Sequence, residues 1–141
     1  MPCSFRILRD RGIAVVRYEG HATVAEGGRA FGEYAAHPDA RPGQSQLVDL
    51  SAVISFERDF AQLMAFQARK AEQFLTGAEP ALVVYFAPTR LTYDMAALIR
   101  RSWEGIDGIA VRVLQDEAEC LDLLWQPERS IDELLTRADI A

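Results

Sequence analysis

Two cysteines and two histidines are all that 141 residues offer of the side chains most used for transition metals and redox chemistry. Cys3 and Cys120 match no metal-ligand or redox spacing and read as free thiols. Cys120 sits among Asp116, Glu117, Glu119 and Asp122. Their negative charge raises a thiol pKa and disfavours a nucleophile. His21 and His37 fall at loop or helix-end positions and read as surface histidines, so neither metal nor cofactor is expected. A glycine-rich phosphate loop is also missing, because Gly27-Gly28 falls inside a helical pattern instead of following a strand. Positive charge is in deficit, with 15 basic against 21 acidic residues and a net charge of −6. Such a surface repels phosphate backbones and argues against nucleic acid. The longest apolar run, residues 81–87, is far too short to span a bilayer. Residues 1–10 carry no apolar stretch after their charges, so no secretory leader is read and a cytoplasmic location is expected.

What remains is a chain that is 50% apolar, enough for the core of one domain. Residues 4–9 and 13–19 have strand character and are joined by Asp10-Arg11-Gly12, a hairpin signal. Thr23-Val-Ala-Glu26 is a capping-box sequence, followed by Val24, Phe31, Tyr34 and Ala35 at helical spacing. Gly27 and Gly28 weaken that helix by about 1 kcal/mol each, which a close backbone approach would explain. A loop rich in proline and glycine covers residues 37–43. Residues 46–53 form the third strand. A helix over residues 57–75 carries Phe60, Leu63, Met64, Ala71, Phe74 and Leu75 on one stripe, and Gly77 and Pro80 end it. Residues 81–87 read as a central strand buried on both sides. Pro88-Thr89 opens a helix with Leu91, Met95, Leu98, Ile99 and Trp103 on its inner face, read as core in preference to a cofactor box. Glycines at 105 and 108 bracket the break before the fifth strand, residues 109–114. Asp116-Glu-Ala-Glu119 and Ser130-Ile-Asp-Glu133 start two short helices, ending near Trp125 and Ala138.

The order is β-β-α-β-α-β-α-β-α-α. It specifies a single α/β domain with a five-stranded mixed sheet: an N-terminal antiparallel hairpin, then parallel βα units. Right-handed crossovers place the helices mainly on one face. The expected core includes Val15, Val48, Leu50, Leu63, Phe74, Val83, Val84, Leu98 and Val111. The other face, with Ile13, Val15 and Tyr85, would be left bare, and a homodimer through it or through helix surfaces is expected.

No nucleophile–base set, paired carboxylates or metal spacing stands out, so an enzyme is not expected. Two polar groupings carry alternatives. Asp49 and Ser51 share one side of the third strand. They form either a sheet face that meets water, with Asp49 bonded to a nearby turn, or a ligand site at the carboxyl end of the strands. Arg58 and Asp59 lie in the first helical turn. Asp59 either simply favours the helix dipole while Arg58 is solvated, or the pair joins Phe56 and Glu57 in a recognition surface.

The hairpin, the strand Leu-Val-Asp-Leu-Ser-Ala-Val at residues 47–53, the turn and the helix after it resemble a STAS domain of the SpoIIAA-like, anti-sigma-factor-antagonist type. The chain also resembles bacterial proteins described as STAS/CRAL-TRIO-like. The resemblance covers most of the chain as a pattern of elements and implies the fold just derived. In signalling members of that family the turn carries an Asp-Ser-Ser-Gly-like motif, whose serine a partner kinase phosphorylates. Here Glu57 takes the Asp position, Arg58 and Asp59 those of the serines, and Phe60 that of the glycine. The phosphoacceptor is absent, and Ser55 lies two residues too early. The resemblance therefore implies a non-enzymatic binding or regulatory module with a protein partner and no kinase switch. The related CRAL-TRIO fold implies the alternative, a carrier with a cavity for a small apolar or lipid-like ligand. An enzyme with an unrecognised site comes third.

Overall fold

The computed structural model describes residues 3–74 and 81–140, with the backbone alone at 73, 74, 139 and 140. Among these, the chain forms five strands and five α-helices: β1 (Cys3–Leu8), β2 (Ile13–Ala22), α1 (Val24–Ala36), β3 (Ser45–Phe56), α2 (Phe60–Phe74), β4 (Ala81–Phe86), α3 (Arg90–Ser102), β5 (Ile109–Leu114), α4 (Glu117–Leu123) and α5 (Ile131–Ile140). The expected helix end at Leu75, Gly77 and Pro80, and the side chain of Phe74, lie outside the described residues. No helix among those described is long and apolar enough to cross a membrane.

The sheet order is β1-β2-β3-β4-β5, with β1 antiparallel to β2 and every other pair parallel. A one-turn 3-10 helix and Gly12, left-handed at φ 69°, close the hairpin. The strands after β1 add one beside the next in chain order. Crossovers of one hand therefore deliver α1, α2 and α3 to the same face. Ala14, Val48, Leu50, Val83 and Tyr85 point at these helices, with Tyr34, Met95 and Ala96 packed onto them.

The opposite face is not bare. Ile13, Val15, Leu47, Val84 and Phe86 pack beneath Cys120, Leu121, Leu124, Ile131 and Leu134 of the α4–α5 segment. This corrects the expectation of a sticky sheet surface. Ile13 and Val15 are 2% and 3% exposed, and Tyr85 lies on the other face altogether. A homodimer through that surface loses its basis with it. Ion pairs fasten the layer. Glu128, 1% exposed, accepts from Arg11 at 2.5 Å and Arg137 at 3.2 Å. The Arg11 guanidinium above all holds its carboxyl below the usual range. Glu117 accepts from the Ile131 amide at 2.8 Å, tying the start of α5 to α4.

β3 uses twelve residues where β2 uses ten, with register shifts opposite Arg17/Glu19 and Gly20/His21. Each shift resets which residues face inward. Leu50, Val53 and Phe56 therefore point at the helices, and Ile54 is thrown out to 77% exposure.

Two details of the helices also differ from expectation. α2 begins at Phe60, not Glu57, and Asp59 accepts from the Gln62 amide at 3.0 Å. Its inward face runs through Phe66 and Gln67, with Leu63 and Lys70 half-buried, while Met64 is 45% exposed. Gln67 and Lys70 interrupt the apolar stripe and disguise the face that packs. At α1, Thr23 accepts from the Glu26 amide at 3.1 Å, but the Glu26 carboxylate turns to Arg29 at 3.0 Å. The Val24 amide is satisfied instead by Glu57, at 3.0 Å.

Of the expected core, Val15, Val48, Leu50, Val83 and Val84 are buried, and Leu63, Leu98 and Val111 are half-buried. The two leucines therefore respond differently to truncation. Leu50→Ala is expected to lose about 2–5 kcal/mol in urea denaturation and Leu98→Ala about 1–2 kcal/mol, the latter retaining part of its solvent contact in either state. Equal losses would place the core elsewhere.

Candidate functional site

The six residues singled out in the sequence do not form one surface. Asp49 faces α4 and α5 and is 5% exposed. One of its oxygens takes the Ser51 amide at 2.9 Å and hydroxyl at 2.6 Å, satisfying a donor freed by the first irregularity of β3. The other takes Arg17 at 3.0 Å, and Arg17 reaches on to Asp132 in α5 at 3.0 Å. Burial works against the charge on Arg17, but the two carboxylates outweigh it and hold its pKa above the ordinary value. Asp49 therefore ties a bulge and a helix to the sheet.

Phe56 points to the opposite face and is 8% exposed, so it is not a free apolar anchor. Glu57 donates its amide to the Ala22 carbonyl at 2.8 Å while its carboxylate caps α1. Asp59 caps α2. Arg58 is exposed and makes no ion pair among the described residues, its guanidinium 4.3 Å from the Phe56 ring centre. His21 Nδ1 and Ser55 Oγ meet at 2.8 Å beside this turn.

The more unusual chemistry lies inside. A cavity of ≈ 60 Å³ opens between the sheet and α1 and α2. Its walls are mostly apolar: Phe5, Val16, Ala30, Phe31, Val48, Leu63, Phe66 and Ile99. The polar groups on the same walls are Cys3, Tyr18, Tyr34, Gln46, Gln67, Lys70 and Tyr85. A second space of ≈ 50 Å³ shares Tyr18, Leu63, Phe66 and Ile99 with the first and continues toward Phe56 and Met95.

The local sequence explains the gap. Tyr18 crosses from β2 toward α1, and a Cβ on Gly27 would meet its hydroxyl at 2.7 Å. α1 therefore sits close to the sheet only because position 27 has no side chain. α2 then presents Gln67 and Lys70 where an apolar pair would close the space. Gln67 is 2% exposed and its amide nitrogen donates to Ser102 Oγ at 3.1 Å. Ser102 gives its own proton to the Ile99 carbonyl, so its oxygen can only accept there. That fixes the amide orientation and leaves Gln67 Oε1 buried with no partner. Trp103 Nε1 is also buried and approaches Tyr85 as a donor, lowering the phenol's pKa against the effect of burial, without reaching full hydrogen-bond geometry. Each such group costs about 1–3 kcal/mol if left dry.

Lys70 is the only lysine in the chain. No carboxylate among the described residues pairs with it. Its ammonium lies 5.3 Å from the Phe66 ring, 5.3 Å from Trp103 and 5.8 Å from Phe31. Burial lowers its pKa from 10.5 to about 8. A lysine that is harder to protonate when folded costs stability below pH 8, and that cost disappears as pH rises to 10.5. Burial pushes the Cys3 thiol up to about 11 and the Tyr85 phenol to about 12, and Tyr18 rises well above its ordinary value. Near neutral pH, Lys70 is the one charged group in this set.

Compared with protein-family models, curated proteins and solved structures, the chain finds no match. The site therefore has to be read from its own geometry. Sequence reasoning allowed for a cavity only through the carrier alternative and missed Gln67 and Lys70 on its wall. The available signal was a solitary lysine in a chain that otherwise uses arginine, spaced i, i+3 from a glutamine on an apolar helix face.

The close approach at α1 makes a testable contrast. Gly28 has only Arg69 Nη2 near its would-be Cβ, at 3.9 Å. Gly28→Ala is expected to stabilise by about 0.5–1 kcal/mol through helix propensity. Gly27→Ala is expected to destabilise by about 1–3 kcal/mol by overpacking, and Tyr18→Phe should relieve most of that loss in a double-mutant cycle. Equal effects at the two glycines would refute the packing described.

Proposed function

We propose that this protein is a non-enzymatic binding module whose ligand is a small, largely apolar molecule held between the sheet and helices α1 to α3. The observation that carries this reading is Gln67 Oε1, a buried acceptor with no partner on a mostly apolar cavity wall. Native proteins rarely leave such a group dry, and a bound molecule or ordered water is its ordinary complement. A few polar groups converging on an apolar space is the usual composition of a ligand pocket. The thiols add support for the non-enzymatic part. Cys3 and Cys120 are both buried, with pKa values pushed up to about 11 and about 12, the wrong direction for nucleophiles.

A second reading, the STAS-like regulatory module without its phosphorylatable serine, keeps one specific support. Arg58 stands exposed in the loop before α2, a forked donor suited to a partner's carboxylate. Native mass spectrometry of protein purified from its own host separates the two. The first reading expects a co-purifying mass of small-molecule size that is lost from a Leu63→Trp variant designed to fill the cavity. A stoichiometric protein partner lost on Arg58→Ala, with no small-molecule mass, would overturn it in favour of the second.

A further inference from the structure

The one charged side chain on the wall of the first cavity, Lys70, narrows the class of ligand. Arg11, Arg17 and Arg29, the basic side chains that reach into the body of the fold, each meet a carboxylate. Lys70 faces aromatic rings instead. Three rings offset part of the loss of water around an ammonium, but they supply no anion. An unpaired charge stripped of part of its water is costly, and an anion arriving from outside offsets that cost. Neither Cys3 nor Tyr85 provides one near neutral pH, because both hold their protons.

The space beyond Lys70 sets the rest. The first cavity measures ≈ 60 Å³ and its continuation ≈ 50 Å³. At roughly 10–15 Å³ per water-sized volume, the two together take about eight such volumes. That bounds the occupant at about ten non-hydrogen atoms. The second space is lined mainly by apolar residues, among them Phe66, Leu63, Ile99 and Met95, with Tyr18, Thr23 and Glu57 also on its wall; the Glu57 carboxylate is taken by the Val24 amide at 3.0 Å.

Resting on the binding-module reading above, we propose that the ligand is a small apolar carboxylate. Its carboxylate pairs with Lys70, and its hydrocarbon body lies over Phe66 and Leu63 toward Met95. Gln67 Oε1 cannot take a hydrogen bond from an ionised carboxylate, so it accepts from an ordered water beside the head group or from a hydroxyl on the ligand.

The test compares octanoate with 1-octanol and octylamine, a matched set differing only in the head group, each below its aggregation concentration. Binding is followed by ¹H–¹⁵N chemical shifts at Tyr18, Phe66 and the Gln67 side-chain amide. Wild type is expected to bind octanoate at least tenfold more tightly than 1-octanol at pH 7. Lys70→Met should remove that preference to within twofold, and Lys70→Arg should keep it. Arg69→Met, on the exposed side of the same helix, should leave it unchanged. Octanoate affinity should also fall about tenfold between pH 7 and pH 9.5 as Lys70 loses its proton. Of the other groups facing Lys70, Cys3, Tyr18, Tyr34 and Tyr85 keep their protons over that range, and Glu26 is paired with Arg29 at 3.0 Å.

The failures are distinguishable. Equal binding of octanoate and 1-octanol, with shifts at these residues, would overturn the carboxylate inference and leave the binding module standing. A preference for octylamine would overturn it too. No shifts from any of the three would overturn both readings. An octanoate preference that survives Lys70→Met would place the anion site elsewhere. If Lys70→Met does not fold, as judged by circular dichroism, Lys70→Arg and the pH dependence still decide.

Discussion

The handedness of three consecutive crossovers governs the rest of this structure. Because β2, β3, β4 and β5 lie side by side in space in their sequence order, right-handed connections put α1, α2 and α3 on one face. That face is long, and three helices must tile it. The opposite face receives only the C-terminal segment after β5, which is why the short α4 and α5 cover it and need ion pairs at Glu128 and Asp49 to hold their place. One constraint thus produces two unlike layers, an apolar C-terminal cover and a three-helix layer with space beneath it.

That space is a packing outcome with chemical content. Tyr18 reaches across and only Gly27 lets α1 pass it. α2 offers a glutamine and a lysine where leucines would have sealed the gap. Protein interiors are packed nearly as densely as organic crystals, so an unfilled apolar cavity with polar groups on its wall is costly to keep without an occupant. A lysine there carries a further cost, present at every pH below its lowered pKa. A module that uses the cavity has a reason to keep these features, and dense apolar packing would be the more stable choice for one that does not.

Much of the fold was legible in the chain. The hairpin at Gly12, the strand at residues 81–86, the caps at Asp116 and Ser130 and the stripe from Leu91 to Trp103 obey local rules, and local rules survive into the folded state. The misses share a physical cause. Period-two reading of β3 assumes an unbroken ladder, and two register shifts re-aim Val53 and Ile54. Period-3.6 reading of α2 assumes an apolar buried face, and Gln67 and Lys70 break it. Whether α4 and α5 cover the sheet depends on long-range contacts such as Arg11 with Glu128, which no short window contains. The turn at residues 56–59 looked available because its side chains are polar or aromatic. Instead Phe56 is buried, and Glu57 and Asp59 are occupied as caps.

The proposed function depends most on Lys70, half-buried and unpaired beside the rings of Phe31, Phe66 and Trp103. Because it is the chain's only lysine, a protein labelled with ¹³C-lysine gives a single Cε signal, and its titration by NMR reads this one amine. A midpoint near pH 8 is the result the account requires. A midpoint at the ordinary value of 10.5 would mean that the ammonium stands in water, and the cavity would then hold no charged group to recruit a ligand.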